Sequence, residues 1–241
     1  MRDWLFISDL HLDPERPEII HLFERFVDKI AIHADRLYIL GDFLEYWLGD
    51  DDQAAGLDAA FKSLKKLSDS GTDVFFMAGN RDFLVGESLA RKCGFKIIDE
   101  PYIETIHGQA TLLMHGDTLC TDDVAYQSFR AVVRNKKWQD EVLSKSLEER
   151  QQLAQSMRTQ SKQANTEKTE YIMDVNQDTV IASMQQYSVN LLIHGHTHRK
   201  AIHHFEINDQ TATRIVLGDW HEHGCYLRVN EKSEPELFSF K

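Results

Sequence analysis

The segment LLIHGHTHRK, residues 191–200, sets three imidazoles at alternate positions, His194, His196 and His198, directly after an apolar run. Imidazoles gathered this closely suit a transition-metal ion, which then needs further donors from elsewhere in the chain. Such donors recur wherever a short apolar run ends. WLFI (4–7) is followed by SDLH, with Asp9 and His11, and RLYIL (36–40) by GDF, with Asp42. DVFFMA (73–78) leads into GNRD, with Asn80 and Arg81, ATLLM (110–114) into HGD, with His115, and NLLI (190–193) into HGHTH. Each fragment alone is weak: Gly-Asp is common in turns, and a lone buried histidine is more often a satisfied core residue. Five in order describe one crevice, because ligands of open α/β sheets bind beyond the carboxyl ends of the strands.

Carboxylate, amide oxygen and imidazole mixed together, with no cysteine, suit Mn²⁺, Fe²⁺ or Zn²⁺ at a reactive site better than a structural zinc. Two such ions ~3.5–4 Å apart can hold a hydroxide at neutral pH and stabilise the attacking and leaving oxygens of an in-line displacement at phosphorus. His194 sits between its strand and the first glycine, and alternation cannot be followed through a glycine-containing turn to say which way it faces.

The elements that must position these donors are legible as periodicities. The runs named above, with TRIVL (213–217), CYLRV and PELFSF, have strand length and are rich in β-branched or aromatic residues. Between the first three, Ile19, Phe23, Phe26, Val27 and Ile30, and then Leu57, Phe61, Leu64 and Leu67, fall at helical spacing. Strands alternating with helices predict a layered α/β domain. From about 120 to 187 there is no strand-like run, glycine or proline, which predicts two or more helices inserted between strands. Residues 121–170 carry nine Lys/Arg against eight Asp/Glu in a chain of net charge −12, so the insertion is its basic part. The organisation expected is one domain over 1–241 with a helical insertion at about 121–187.

With 42% apolar and 27% charged residues the chain has the composition of a globular protein. Its negative charge speaks against non-specific nucleic-acid binding, though not against a phosphate-bearing substrate whose charge metal ions balance. Cys93, Cys120 and Cys225 form no CxxC pair and are odd in number, as expected for thiols in a reducing compartment. The opening MRDWLFISD is too short and acidic for a signal peptide, and no run reaches the ~18 apolar residues of a spanning helix, so a cytoplasmic protein is expected.

In order, Asp-x-His, Gly-Asp, Gly-Asn, His and Gly-His-x-His resemble the motifs of the calcineurin-like metallophosphoesterases, here spread over residues 8–198. The resemblance implies an α/β sandwich of two mixed sheets flanked by helices, with a helical lid insertion, and a two-metal centre. It assigns Asp9, His11, Asp42 and His198 to one ion and Asp42, Asn80, His115 and His196 to the other, with Asp42 bridging and His194 serving neither. Most of that family has histidine after Gly-Asn, able to protonate a departing alkoxide; here the position is Arg81. A guanidinium, with a pKa above ~12, is no useful acid but makes a bidentate fork for phosphate oxygens. A phosphate leaving group, second pKa ~6, needs no acid, so Arg81 favours a phosphoanhydride over a phosphomonoester. The competing reading is that Arg81 merely pairs with a nearby carboxylate.

The wider stretches GNRDFL, YILGDFLEYWLGDD and LLMHGDTLCTDD are similar to a branch of the family acting in bacterial lipid A synthesis. That branch hydrolyses UDP-2,3-diacylglucosamine to UMP and 2,3-diacylglucosamine 1-phosphate by attack of a di-metal-activated hydroxide at the α-phosphorus. The likeness implies two Mn²⁺ ions per chain, with iron or zinc as alternatives, and Asn80 and Arg81 as catalytic groups. It further implies substrate contacts from Asn80, Arg81, Asp123, Ser161, Asn165, Lys168 and His196, a monomer, and peripheral attachment to the cytoplasmic face of the inner membrane. A lipid substrate needs apolar surface outside the core, for which FLEYW (43–47), Phe83, Leu84, Tyr126, Phe129 and Val133 are candidates; packing of the insertion is the alternative. RNKKW (134–138) suits an anionic membrane surface or is simply a solvated face. Two other readings stand beside this one: a phosphodiesterase or nucleotide pyrophosphatase of water-soluble substrates, and a binding scaffold without activity.

Overall fold

Strands β1 (Trp4–Ile7), β2 (Arg36–Leu40) and β3 (Asp73–Met77) are apolar on both faces because each face packs against a different layer. Side chains alternate along a strand, so Trp4, Phe6, Tyr38, Leu40 and Met77 point to one side and Leu5, Ile7, Leu37, Ile39, Val74 and Phe76 to the other. The second set meets the apolar stripes of α1 (Pro17–Lys29), α2 (Asp58–Asp69) and α3 (Glu87–Cys93). The first set meets a second sheet. The computed structural model describes residues 3–166, 172 and 174–241.

One sheet has six strands in the order β11-β10-β1-β2-β3-β4, with β4 (Phe95–Ile98), β10 (Gly224–Asn230) and β11 (Ser233–Phe240) completing it. β1 to β4 run parallel, while β10 and β11 pair antiparallel. The other sheet has the order β5-β6-β7-β9-β8, from β5 (Tyr102–Ile106), β6 (Gln109–Leu113), β7 (Leu191–His194), β8 (Ala201–Ile207) and β9 (Gln210–Val216). There β6, β7 and β9 are parallel and the edge strands antiparallel. The inter-sheet core joins Phe6, Tyr38, Leu40 and Met77 to Leu113, Ile193, Ile215 and Leu217. The outer face of the second sheet carries α7 (Gln177–Gln186), through Val180 and Met184 against Leu112 and Leu192. The result is the expected sandwich of two mixed sheets between helices.

Between β6 and β7 the chain forms α4 (Val124–Val133), α5 (Lys136–Leu143), α6 (Leu147–Thr166) and α7. Local signals start each one. Asp123 accepts from Tyr126 N at the head of α4, and Asn135 and Asn176 cap α5 and α7. Ser146 and Glu149 exchange bonds in a capping box before α6. Arginines tie these helices to the body. Arg134 donates to the carbonyls of Ala78 and Gly79, Arg130 pairs with Asp117 and Glu100, and the buried Arg150 donates to Leu48 O and Asp51.

Several segments differ from the sequence expectation. β4, β5 and β8 follow no apolar run, being half-buried or edge strands with polar residues on the outward face. Ile30 lies just past α1, as its C-cap. Of the apolar residues offered for lipid contact, Phe43, Leu44, Trp47 and Val133 are buried in the protein itself. Trp138 of RNKKW packs near Phe83, with ring centroids 6.2 Å apart, and Arg134 lies over the same ring. All three cysteines are free and buried. No helix among the described residues is long and apolar enough to cross a membrane.

Candidate metal centre

β1, β2, β3, β6 and β7 all release their chains at one end of the sandwich, and the loops that follow are zipped together by backbone hydrogen bonds. Asp9 N donates to Gly41 O, His11 N to Asp42 O and Leu12 N to Phe43 O, while Gly195 N donates to His115 O. These bonds carry the strand register into the loops, where regular pairing ends. Within them Asp9, His11, Asp42, His196 and His198 all take left-handed backbone angles, with φ between 49° and 69°. That region costs a non-glycine residue roughly 1–3 kcal/mol and is kept where the surroundings over-determine it, commonly at functional sites. Five of the seven donors proposed from sequence carry this strain.

Those seven donors converge. Asp9, His11 and His198 present ligand atoms within 4.8 Å of one another, as do Asp9, Asp42 and His115. Asp42 turns one oxygen to each side: Oδ2 lies 3.8 Å from His11 Nε2 and Oδ1 3.8 Å from His115 Nε2. Asn80 Oδ1 lies 2.9 Å from both His115 Nε2 and His196 Nδ1. His11 Nε2 and His198 Nε2 stand 3.5 Å apart. Asp9 Oδ2 accepts from Ser8 Oγ and His196 N, but its Oδ1 is buried with no hydrogen-bond partner and lies 3.4 Å from His198 Nε2. A buried carboxylate oxygen left in this way, facing imidazole nitrogens, fits a cation between them.

Groups behind the donors fix which imidazole nitrogen faces inward. His115 Nδ1 lies 2.9 Å from Leu40 O; a carbonyl only accepts, so Nδ1 keeps its proton, and it is Nε2 that would give up a proton and turn its lone pair to a metal. His11 Nδ1 faces Glu45 Oε2 at 3.1 Å, and His198 Nδ1 faces Asp219 Oδ2 at 3.3 Å, giving two carboxylate–histidine pairs of the kind that orient metal ligands. Asp82, fully buried, accepts from the backbone N–H groups of Gly79, Phe43 and Leu44 and so locks the Asn80 loop to the Asp42 loop. Burial, aided by the charge of Asp42, lifts its carboxyl to about 6.

Charge is concentrated here. Burial works against a proton on His115 and on His198, but the neighbouring carboxylates outweigh it and push them up to about 9 and about 10. His196 is held down to about 4 by burial and the adjacent His115. Burial would raise Glu45, yet His11, Arg81 and Arg158 bring it down to about 2.

The remaining sequence candidates lie as follows. His194 is buried and turned onto its own surroundings, with Nδ1 on Gly195 O and Nε2 accepting from Arg214. Arg81 stands at the rim with its backbone N–H on Asp42 Oδ1 and its guanidinium 3.5 Å from Glu45. Asp123 is buried as the α4 cap, and Ser161 is exposed on α6. The side chain of Asn165, and Lys168 altogether, lie outside the described residues. Glu45, Asp82 and Asp219 were missed from sequence; Glu45 lay unread inside FLEYW. A further missed group joins the insertion to the His115 loop: Asp117 Oδ2 accepts from Tyr126 Oη and Arg130 Nε, both at 2.7 Å.

Residues 4–200 match the sequence pattern of the calcineurin-like phosphoesterase family. A Chromohalobacter salexigens protein named UDP-2,3-diacylglucosamine hydrolase is 47% identical over 237 residues, 98% of this chain and 96% of its own. A protein of the same name from Xanthomonas axonopodis pv. citri is 49% identical over 233 residues, 94% of each chain. One from Hahella chejuensis is 47% identical over 226 residues, 94% of this chain and 93% of its own. Strand-end donors, their backing carboxylates and this agreement along nearly the whole sequence lead to one conclusion: the chain belongs to the calcineurin-like phosphoesterase family.

Proposed function

We propose that the chain hydrolyses the pyrophosphate bond of UDP-2,3-diacylglucosamine, giving UMP and 2,3-diacylglucosamine 1-phosphate, with two Mn²⁺ ions held by Asp9, His11, Asp42, Asn80, His115, His196 and His198. The observation that carries this reading is the placement of Arg81. It holds the sequence position that carries a histidine acid in most of the family, and its backbone is hinged on Asp42 Oδ1 while its guanidinium stands 3.5 Å from Glu45 at the rim of the donor cluster. The divalent ions, when bound, supply an activated water and offset charge on the phosphorus oxygens. The chain's own groups do the rest. Asn80 and His196 fix the phosphate beside the donors, and Arg81 binds its oxygens and stabilises the charge that grows as the bond breaks. The departing phosphate leaves as an anion without a proton donor.

The helices α4 to α6 serve in this reading as a lid within a single domain. Asp123, Ser161, Asn165 and Lys168 contribute to the sugar and phosphate contacts. Val124, Phe129 and Val132, exposed by 70%, 41% and 53%, give α4 an apolar face beside Lys136 and Lys137. That pairing of apolar and basic groups suits a lipid substrate drawn by a monomer from the cytoplasmic face of the inner membrane.

The test is purified chain with Mn²⁺ and UDP-2,3-diacylglucosamine in ¹⁸O-water, followed by phosphorus NMR. The expected result is UMP carrying the heavy oxygen. Label in the lipid phosphate would overturn the site of attack, and faster release of inorganic phosphate from simple monoesters would overturn the substrate.

A further inference from the structure

Helix α6 meets the described body at two arginines. Arg150, near its start, reaches Leu48 O and Asp51, and Arg158, eight residues or about 12 Å further on, reaches Glu45 Oε1 at 2.7 Å. Both anchors fall on one loop, the stretch 43–51 that follows the Asp42 turn. Glu45 is the unusual member. Its Oε2 faces His11 Nδ1 at 3.1 Å, and its Oε1 takes Arg158 and stands 3.5 Å from Arg81 Nη1. The backbone fixes it there, since Glu45 N donates to Leu12 O, one residue beyond His11. Its side chain is 17% exposed against 33% for Arg158, so the pair is more sheltered than a surface ion pair.

From this geometry we infer that Glu45 is a positioning residue that ties helix α6 to the metal centre, holding His11, Arg81 and Arg158 in one cluster. The inference rests on the proposed function only for the part Arg81 plays. One carboxylate between two guanidiniums removes the repulsion that would otherwise drive Arg81 and Arg158 apart, and the same group lies against His11 on the side away from the other donors. Helix α6 is therefore registered against the centre before substrate arrives. Arg81 is the looser partner: a phosphate can draw it from Glu45 while the shorter Arg158 contact keeps the helix in place. The Arg81–carboxylate pair and the phosphate role, rivals when read from sequence, become two states of one side chain.

The experiment compares Glu45→Gln, Arg158→Gln and the double variant in the full chain. Glutamine keeps an oxygen for His11 Nδ1 but carries no charge for the arginines. Amide hydrogen exchange over 147–166, measured without metal or substrate, should quicken about tenfold in each single variant and no further in the double. Mn²⁺ affinity should stay within about threefold for Glu45→Gln and fall about 10–100-fold for Glu45→Ala. With the lipid substrate, Arg158→Gln should raise KM with kcat nearly kept, while Glu45→Gln should lower kcat as well. Unchanged exchange of α6 in both single variants, or effects that add in the double, would overturn the link. If the wild-type chain fails to turn over the lipid at all, the proposed function falls, while the exchange and metal measurements still judge Glu45.

Discussion

Asp219 Oδ2 lies 3.3 Å from His198 Nδ1, while the opposite nitrogen of that ring, Nε2, faces the unpartnered oxygen of Asp9. The imidazole is thus held between two carboxylates, one orienting it and one sharing its proposed metal. His221 Nε2 reaches the same Asp219 oxygen at 2.9 Å, so the orienting carboxylate is itself held. Replacing Asp219 with alanine frees the ring to rotate and to change tautomer. Mn²⁺ affinity should fall about 10–100-fold, the usual cost of losing such a partner, with fold and far-UV circular dichroism kept. Titration calorimetry measures it, and an unchanged affinity would show that Asp219 does not orient the ligand.

Arg81→Ala separates phosphate chemistry from metal binding. The side chain touches Glu45 and none of the seven donors by its guanidinium, whereas its backbone N–H, which the substitution keeps, serves Asp42. Turnover should drop about 10²–10³-fold, as for loss of one preorganised transition-state donor, with two metal ions still bound by elemental analysis. Loss of metal from this variant would move Arg81 from phosphate to the ions.

The donors were readable because each follows a strand whose apolar run marks its own end, and parallel strands deliver their ends to one place. Their supports were not. Glu45 and Asp219 lie in irregular loops, where no periodicity says which way a side chain faces, and each reaches a histidine distant in sequence. The strained angles at Asp9, His11, Asp42, His196 and His198 leave no compositional trace, since none is glycine. β5 and β8 were passed over because edge strands alternate polar and apolar residues instead of forming a run. The apolar residues of FLEYW were legible as apolar but not as buried, because burial there depends on how the Asp42 loop folds back on α2 and α3.

Two glycines make a sharper test of the packing than any donor. A methyl group on Gly79 would lie 2.2 Å from Asp42 Oδ1, and one on Gly195 would lie 2.3 Å from Ser8 Oγ and 2.5 Å from Asp9 Oδ2. Neither neighbour can move away without dragging a donor with it. Gly79→Ala and Gly195→Ala should each abolish tight Mn²⁺ binding while leaving every ligand side chain in the sequence. Gly71→Ala meets nothing within 4 Å, though its backbone is left-handed, and should keep the metal at a modest loss of thermal stability. Metal retention in the Gly79 or Gly195 variants would show that the loops are less closely packed than described.

Metal loading should expel protons, and the direction follows from the imidazoles. Without metal, neighbouring carboxylates hold His115 up to about 9 and His198 up to about 10, so both are charged at pH 7.5. His196, held down to about 4, carries no proton to lose. A metal ligand must be neutral imidazole, so loading at pH 7.5 should release at least two protons per chain, from His115 and His198. A further share comes from His11, where burial works against a proton but Glu45, Asp42 and Asp9 outweigh it and push the group up. Calorimetric enthalpies in two buffers of different ionisation heat give that number. The same shifts set how stability depends on pH. The folded values exceed the unfolded value near 6.5, so the charged imidazoles stabilise the metal-free chain fully below about 6.5, and that contribution fades as pH rises through 9 and 10. Metal affinity moves the other way, strengthening as protons stop competing. The gap in melting temperature between loaded and metal-free protein should therefore widen from pH 6.5 to 9. A gap that stays constant, with enthalpies independent of buffer, would mean that His115 and His198 are already neutral without metal.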